Sequence, residues 1–247
     1  MVSEHRQEMI LQIVKERHSV TVTELTELLG ISESTARRDI VQMDKEGRLV
    51  KVYGGAVLPD DMSFSEEPTV AQKTEVYIKE KRQIARYAAS MIKPHDFVYL
   101  DAGTTTGYML DYIEESRAAF VTNAVAHAQK LAAKGMRVSL VGGMLKASTE
   151  AVVGEAAVRM IQQYHFSKGF FGANGISAGS GFTTPDEREA LIKRTAVEQT
   201  GECYFLCDHS KFHMVSAVTF APLSAGTILT DQEDTAFRGK TDIKICN

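Results

Sequence analysis

From residue 94 onward six short apolar runs recur, FVYLDA, AAFVT, RVSLVG, KGFFGA, CYFLCD and GTILTD, most of them separated by helical stretches such as NAVAHAQKLAAK and EAAVRMIQQY. Strands that short and apolar, alternating with helices, are buried on both faces in a parallel sheet. This restricts the larger part of the chain to an α/β architecture. Just before the first run, KEKRQIARYAASMI sets Ile84, Ala85, Ala88, Met91 and Ile92 on one helical face. Ligands of open α/β sheets bind outside the carboxyl ends of the strands. The residues expected there are 101–106 after the first run, Thr122 and Asn123 after the second, and Gly142 and Gly143 after the third. Asn174 and Gly175 follow the fourth and residues 208–211 the fifth, so glycines, small hydroxyls, amides, aspartates and one lysine gather on one edge.

The segment LDAGTTTGYML places a glycine and three threonines between a strand and a helix. Glycine admits close backbone approach, and a helix start presents unpaired N–H groups and the positive end of the helix dipole. With the threonine hydroxyls added, the turn reads as an anion seat. The plainer alternative is an ordinary strand-to-helix turn with Thr104 or Thr105 as N-cap. Lys211 can supply a point charge to a phosphate, and a ring of Asp, Asn and Thr suits a sugar. No G-x-x-x-x-G-K-[ST] occurs, and GANGISAGSGF does not complete G-x-G-x-x-G, so ATP and NAD are poor candidates and no cofactor is expected. The histidines show no metal-ligand spacing. His209 beside Ser210 does not make a hydrolase, because neighbours on an extended segment face opposite ways and no G-x-S-x-G surrounds the serine.

The first sixty residues follow a different plan. Met9, Ile10, Ile13 and Val14 recur at helical spacing, leaving Arg6, Gln7 and the charged residues largely on other faces. In VTVTELTELLG, Thr21 and Glu24 match a capping box and Gly30 can close a short second helix. Ser32 is a good N-cap for a third helix in which Ala36, Ile40 and Met43 face inward and Gly47 terminates. Two short helices around a tight turn, the second opening SESTARRD, form the pattern of a helix-turn-helix. Glu33, Ser34, Thr35, Arg37 and Arg38 are then placed to meet DNA. After Gly47, RLVKVYGGAVL alternates and turns at Gly54 and Gly55 as a small two-stranded wing, with Arg48 and Lys51 along the DNA backbone.

Residues 1–58 carry eight Lys plus Arg against nine Asp plus Glu, and the whole chain has a net charge of -4. Coating of nucleic acid or anionic membrane by bulk charge is therefore excluded, and any DNA contact must be local. No basic, apolar leader opens the chain and no apolar run approaches the roughly 20 residues that span a bilayer, so a cytoplasmic protein without a membrane partner is expected. Cys203, Cys207 and Cys246 are odd in number, and the first two share one face of a strand, which favours packing. The proline- and acid-rich LPDDMSFSEEPTVAQKTE reads as a connector. The expected organisation is a DNA-binding domain at 1–57, a linker at 58–74 and an α/β domain at 75–247.

The run from Arg6 through VTVTELTELLGISESTARRDIVQMDKEGRLVKVYGGAV resembles the N-terminal domain of the DeoR family of bacterial transcription regulators. STARRDI followed by the glycine pair is its most specific part. In the rest of the chain DAGTTT, VTNAV, LVGG, VVGEAA, GFFGANGISAGSGFTTPDEREALIK and DHSKF resemble that family's sugar-phosphate sensor, itself a relative of ribose-phosphate isomerases, glucosamine-phosphate deaminases and CoA transferases. The resemblance implies a winged helix-turn-helix followed by a larger α/β sensor. It assigns Gly103, Thr104 and Thr105 to phosphate, with Thr106 in the same turn, and lines the pocket with Asp101, Asn123, Asn174, Asp208 and Lys211; the strand ends add Gly143. The GANGIS and GFTTPD blocks look most like repressors of fructose operons, whose effector is fructose 1-phosphate.

Two functions are compatible with these residues. In one, a sugar phosphate binds and the DNA-binding domains of a homo-oligomer, a dimer or tetramer, release a double-stranded operator. In the other, the pocket isomerises or deaminates a sugar phosphate, with Asp186, Glu187 or Glu189 as general base beside Lys193. Acids after Pro185 also suit a helix start, and Lys193 lies four residues after Glu189 as a helical ion pair would. A helix-turn-helix ahead of the pocket makes sensing the more economical account, so a repressor relieved by a phosphorylated ketose is expected.

Overall fold

The computed structural model describes residues 3–17, 19–52, 55–59 and 70–247. The chain divides into two compact units. The first comprises Met1–Ser65, Asn174–Pro185 and Lys211–Pro222, and the second Glu66–Ala173, Asp186–Ser210 and Leu223–Asn247.

At the start of the chain come α1 (Ser3–Arg17), β1 (Ser19–Thr21), α2 (Val22–Leu29), α3 (Glu33–Lys45), β2 (Val50–Val52) and β3 (Gly55–Val57). Local chemistry fixes these boundaries. The Thr21 hydroxyl accepts the Glu24 N–H while the Glu24 carboxylate accepts the Thr21 N–H at 2.9 Å, a reciprocal cap on α2. Gly30, at φ 62°, ends α2 in the left-handed conformation. Ser32 caps α3, which closes with the Gly47 N–H on the Asp44 carbonyl and the Arg48 N–H on that of Met43. Ile10, Val14, Leu25, Ala36, Ile40, Met43 and Leu49 form the core beneath. The wing has one strand more than expected: β3 pairs antiparallel with β2 on one side and with β1 on the other. The expected turn at Gly54 lies outside the described residues, as does 60–69 of the expected linker.

The second unit carries α4 (Val70–Thr74), α5 (Ile78–Ser90), β4 (Phe97–Leu100), α6 (Thr104–Tyr112), β5 (Ala119–Thr122), α7 (Val125–Ala133) and β6 (Arg137–Leu140). A hairpin of β7 (Met144–Lys146) and β8 (Ala151–Val153) follows, then α8 (Glu155–Ile161) and β9 (Phe166–Gly172). The chain next forms β10 (Gly175–Ser177) and β11 (Gly181–Thr184), then α9 (Glu187–Glu198) and β12 (Thr200–Leu206). After β13 (Val218–Ala221) come β14 (Thr227–Thr230) and β15 (Ile243–Ile245). Seven strands form one parallel sheet in the order β15-β14-β12-β9-β4-β5-β6, and each of the six apolar runs contributes one. One face packs Val98, Leu100, Phe120, Phe170 and Leu206 against Ile84, Ala88, Met109, Leu110 and Leu131 of α5, α6 and α7. The opposite-pointing Tyr99, Val121, Phe171 and Phe205 are equally buried. The inner strands are thus covered on both faces, while the edge strands β6 and β15 are largely exposed. Strands β10, β11 and β13 form a separate antiparallel sheet and belong to the first unit, a grouping that the expected boundaries at 1–57 and 75–247 do not contain.

Candidate functional site

In the first unit the buried face of α3 is Ala36, Asp39, Ile40 and Met43, which turns Ser34, Arg37 and Arg38 outward. The Ser32 hydroxyl lies 3.0 Å from that of Ser34 and 2.9 Å from that of Thr35, so a small hydroxyl cluster crowns the helix start. Arg37 pairs with Glu33 at 3.2 Å in the open, whereas Arg38 is exposed and has no hydrogen-bond or ion-pair partner among the described residues. Lys51 is exposed, its N–H held by the Asp44 carboxylate at 2.9 Å. Arg48 departs from the expectation. It is half-buried, donates to Gln7 at 3.3 Å and lies 3.6 Å from Glu46, so part of its guanidinium ties the base of the wing to α1. Gln7 and Arg6 depart likewise. Gln7 is buried, and Arg6 grips the buried Asp39 carboxylate through two bonds of 2.5 and 3.0 Å, where sequence had placed both on outer faces.

In the second unit the turn after β4 is built as a rigid cradle. The Asp101 N–H donates to the Phe170 carbonyl, and the Ala102 N–H to Asn123 Oδ1 at 2.9 Å. Asp101 Oδ2 accepts the Gly172 N–H at 3.0 Å and a bond from Lys193 Nζ. Burial pushes the Asp101 carboxyl up, and the Lys193 ammonium and the Gly172 N–H oppose it. Helix α6 then starts with Gly103 as N-cap, in extended conformation and with no side-chain cap, so neither Thr104 nor Thr105 fills that position. The first helical bond is Gly107 N–H to the Gly103 carbonyl. Among the described residues no acceptor meets the N–H groups of Gly103, Thr104, Thr105 and Thr106, and the Thr104 and Thr105 hydroxyls are unpartnered. Thr104 is partly open to solvent and Thr105 is 7% exposed. Four donors at a helix start with two free hydroxyls are what an oxyanion needs.

Five expected contact residues have other tasks here. Thr106 is fully buried and its hydroxyl faces the carbonyl oxygens of Asp101 and Gly103 at 2.7 and 2.9 Å, closing the turn from beneath. Asn123 is buried and spends its oxygen on Tyr99 and Ala102 and its amide on the Val152 carbonyl, so it positions the cradle. Asp208 accepts the Ser210 N–H and hydroxyl and thereby caps the short turn His209–Lys211. Gly143 is exposed at φ 157°, and a Cβ there would lie 2.6 Å from the Val153 carbonyl oxygen, so this glycine lets the β7–β8 hairpin close. Asn174 and Lys211 belong to the first unit. There Asn174 donates its N–H to the Thr183 carbonyl and accepts from the Thr184 hydroxyl, which braces the β10–β11 hairpin.

Residues 76–232 match the DeoR C terminal sensor domain and residues 6–62 the DeoR-like helix-turn-helix domain. The chain belongs to the DeoR family. A similar protein is the uncharacterized HTH-type transcriptional regulator FruR of Bacillus subtilis (strain 168), 38% identical over 99% of both chains. The HTH-type transcriptional repressor GlcR of the same organism is 31% identical, over 94% of this chain and 90% of its own. The lactose phosphotransferase system repressor of Streptococcus mutans is 32% identical, over 95% and 94%. No described helix of this DeoR-family chain is long and apolar enough to cross a membrane, and the described residues hold no cluster of His, Cys, Asp and Glu fit for a metal. Cys203, Cys207 and Cys246 are buried and form no disulfide, and burial pushes Cys203 and Cys246 up to about 12.

Sequence reading names Asp186, Glu189 and Lys193 only as a general-base set or a charged helix start, and not as supports of this DeoR-family seat. Asp186 does cap α9, accepting the Arg188 and Glu189 N–H groups, and those bonds with Lys146 hold its carboxyl below the usual range although partial burial pushes it up. Glu189 and Lys193, however, are not a solvated helical pair. Both are buried, Glu189 accepting from Lys146 at 3.1 Å and from the Thr149 hydroxyl, Lys193 reaching Asp101 and the Gly172 carbonyl. The available signal was spacing: Glu189, Lys193 and Ala196 share one helical face, so the charges lie on the apolar stripe. His127 on α7 was missed as well. It packs beside Gly107, where a Cβ would lie 3.1 Å from Nε2, and its Nδ1 is buried with no partner among the described residues. Burial, with Lys130 adding to it and a backbone bond to Gly103 opposing, lowers its pKa to about 4.

Proposed function

We propose that this chain represses transcription of a sugar-uptake or sugar-catabolic operon and releases its operator when a phosphorylated ketose occupies the seat at Gly103, Thr104 and Thr105. The observation that carries this reading is the set of four unpaired N–H groups and two free threonine hydroxyls at the start of α6, in a chain that also bears an exposed Arg37 and Arg38 on a helix-turn-helix. It is a regulator rather than an enzyme: its relatives are named transcriptional regulators and repressors, and a DeoR-like helix-turn-helix domain spans residues 6–62. Double-stranded operator DNA is the macromolecular partner, read by Ser34, Thr35, Arg37 and Arg38 with Lys51 at the wing. Binding to repeated half-sites calls for at least a dimer. Fructose 1-phosphate is the effector of choice, on the likeness of the GANGIS and GFTTPD blocks to fructose-operon repressors.

The test is release of the chain from the promoter of its neighbouring operon by a panel of sugar phosphates, followed by fluorescence anisotropy. Fructose 1-phosphate is expected to release it at lower concentration than fructose 6-phosphate, tagatose phosphates or ribose 5-phosphate. Release that is insensitive to every phosphorylated sugar, or turnover of one of them, defeats the reading.

A further inference from the structure

The short turn after β12 carries an imidazole that the expected set of effector residues leaves out. His209 is held twice by one carboxylate: its backbone N–H donates to Asp231 Oδ1 at 2.8 Å, and its ring Nδ1 lies 2.7 Å from Asp231 Oδ2. The carboxylate is almost fully buried, while the His209 side chain is 36% exposed. The Tyr77 ring meets the imidazole edge-on, with centroids 5.0 Å apart. A carboxylate can only accept, so Nδ1 donates its proton to Asp231, and in the neutral ring Nε2 is left as an oriented acceptor. Among the described residues Nε2 has no partner.

The sheet puts this acceptor on the same edge as the anion seat. Leu206 is in register with both Gly172 and Leu229, and Leu100 with Phe170, so β9, β12 and β14 end nearly level and β4 stops two residues short, with its turn carrying on along the same edge. The seat follows β4 and His209 follows β12, two strands away, about 10 Å along the edge. That separation suits the length of a phosphorylated six-carbon sugar and exceeds that of a phosphorylated three-carbon one. With Asp231 behind the ring and the buried Asp208 as the preceding residue, the spot disfavours a second anion and favours a neutral hydroxyl. We infer that His209, oriented by Asp231, accepts a hydrogen bond from a sugar hydroxyl at the end of the effector remote from its phosphate, and so selects the length of the sugar. This rests on the seat described under the proposed function.

The experiment is calorimetric titration of the full chain with fructose 1-phosphate, glycerol 3-phosphate and inorganic phosphate, for wild type, His209→Asn and Asp231→Asn. An asparagine at 209 can still donate to Asp231 but lacks an atom in place of Nε2. His209→Asn is expected to weaken fructose 1-phosphate by about 10-fold and to leave the two shorter ligands and operator affinity unchanged. Asp231→Asn is expected to weaken the same ligand by less, because the ring is then free to turn. Equal binding of fructose 1-phosphate by wild type and His209→Asn overturns the proposal, as does an equal loss for all three ligands, which would mark the pair as structural. A wild-type chain that binds none of the three overturns the seat, and the role of His209 with it.

Discussion

Lys193 on α9 and Asp101 at the end of β4, 92 residues apart in sequence, form a buried ion pair, and the same ammonium lies 3.1 Å from the Gly172 carbonyl oxygen. The pair joins α9, β4 and β9 at the point where the anion seat begins. Asp101 is 1% exposed, so its charge has no recourse to water when the lysine is removed. Lys193→Met is expected to destabilise the chain by about 3–5 kcal/mol in urea denaturation. The double variant Asp101→Asn with Lys193→Met should recover most of that loss, because no charge is then left buried. A Lys193→Met protein as stable as wild type would mean that the pair does not hold the turn.

Adjacent threonines should separate seat from scaffold. The Thr105 hydroxyl is unpartnered in the free protein, so Thr105→Val removes a donor from the anion at little cost to folding. Sugar-phosphate affinity is expected to fall by about 1.5–3 kcal/mol, the worth of a hydrogen bond to a charged group, with operator affinity unchanged. Thr106→Val does the reverse. Its hydroxyl closes the turn onto the Asp101 and Gly103 carbonyls, so thermal stability should fall while the ratio of affinities among sugar phosphates is kept. Thermal melts and titrations of the two variants side by side check the contrast.

His127 gives the chain an acid-sensitive stability. Its pKa is about 4 in the folded state against an ordinary value near 6.5, so the unfolded state binds the extra proton across that interval. Stability from this group is therefore fully present above about pH 6.5 and is lost as the pH falls toward 4. Between pH 7 and pH 5 the loss amounts to about 2 kcal/mol. Denaturation of wild type and His127→Leu at both values should show the variant losing about 2 kcal/mol less. Parallel pH dependence of the two proteins would refute burial of a neutral ring.

What could be read before folding was whatever is coded locally. Most of the apolar runs announce strands because the inner strands of a parallel sheet, buried on both sides, have few polar positions; the edge strand β6, with Arg137 and Ser139, is the exposed exception. Thr21, Glu24, Gly30 and Ser32 announce helix ends because capping is a matter of residues three or four apart. The unread parts depend on long-range placement. Strands β10, β11 and β13 are three or four residues long, with glycines, serines and threonines that also suit loops. Glu189 and Lys193 have the spacing of a surface pair, and only the return of α9 beside β4 and the β7–β8 hairpin gives them Asp101, Lys146 and Thr149 as partners. Arg6 finds Asp39 in the same way, across 33 residues.

The two arginines on α3 should contribute unequally to DNA binding. Arg37 must give up Glu33, an exposed pair at four-residue spacing that is worth little, while Arg38 has nothing to surrender. Arg38→Ala is therefore expected to cost about 1–3 kcal/mol of operator affinity, and Arg37→Ala somewhat less. If Arg38 meets a phosphate, the slope of log affinity against log salt should fall by about 1 and binding should weaken on every sequence alike. If it meets a base edge, the slope should hold and discrimination at one operator position should relax. Glu33→Gln, which frees Arg37 and removes a negative charge from the DNA-facing helix, should tighten binding at low salt. Anisotropy titrations over a salt series with operator and scrambled duplexes distinguish these outcomes, and an Arg38→Ala protein matching wild type at every salt would remove α3 as the reading element.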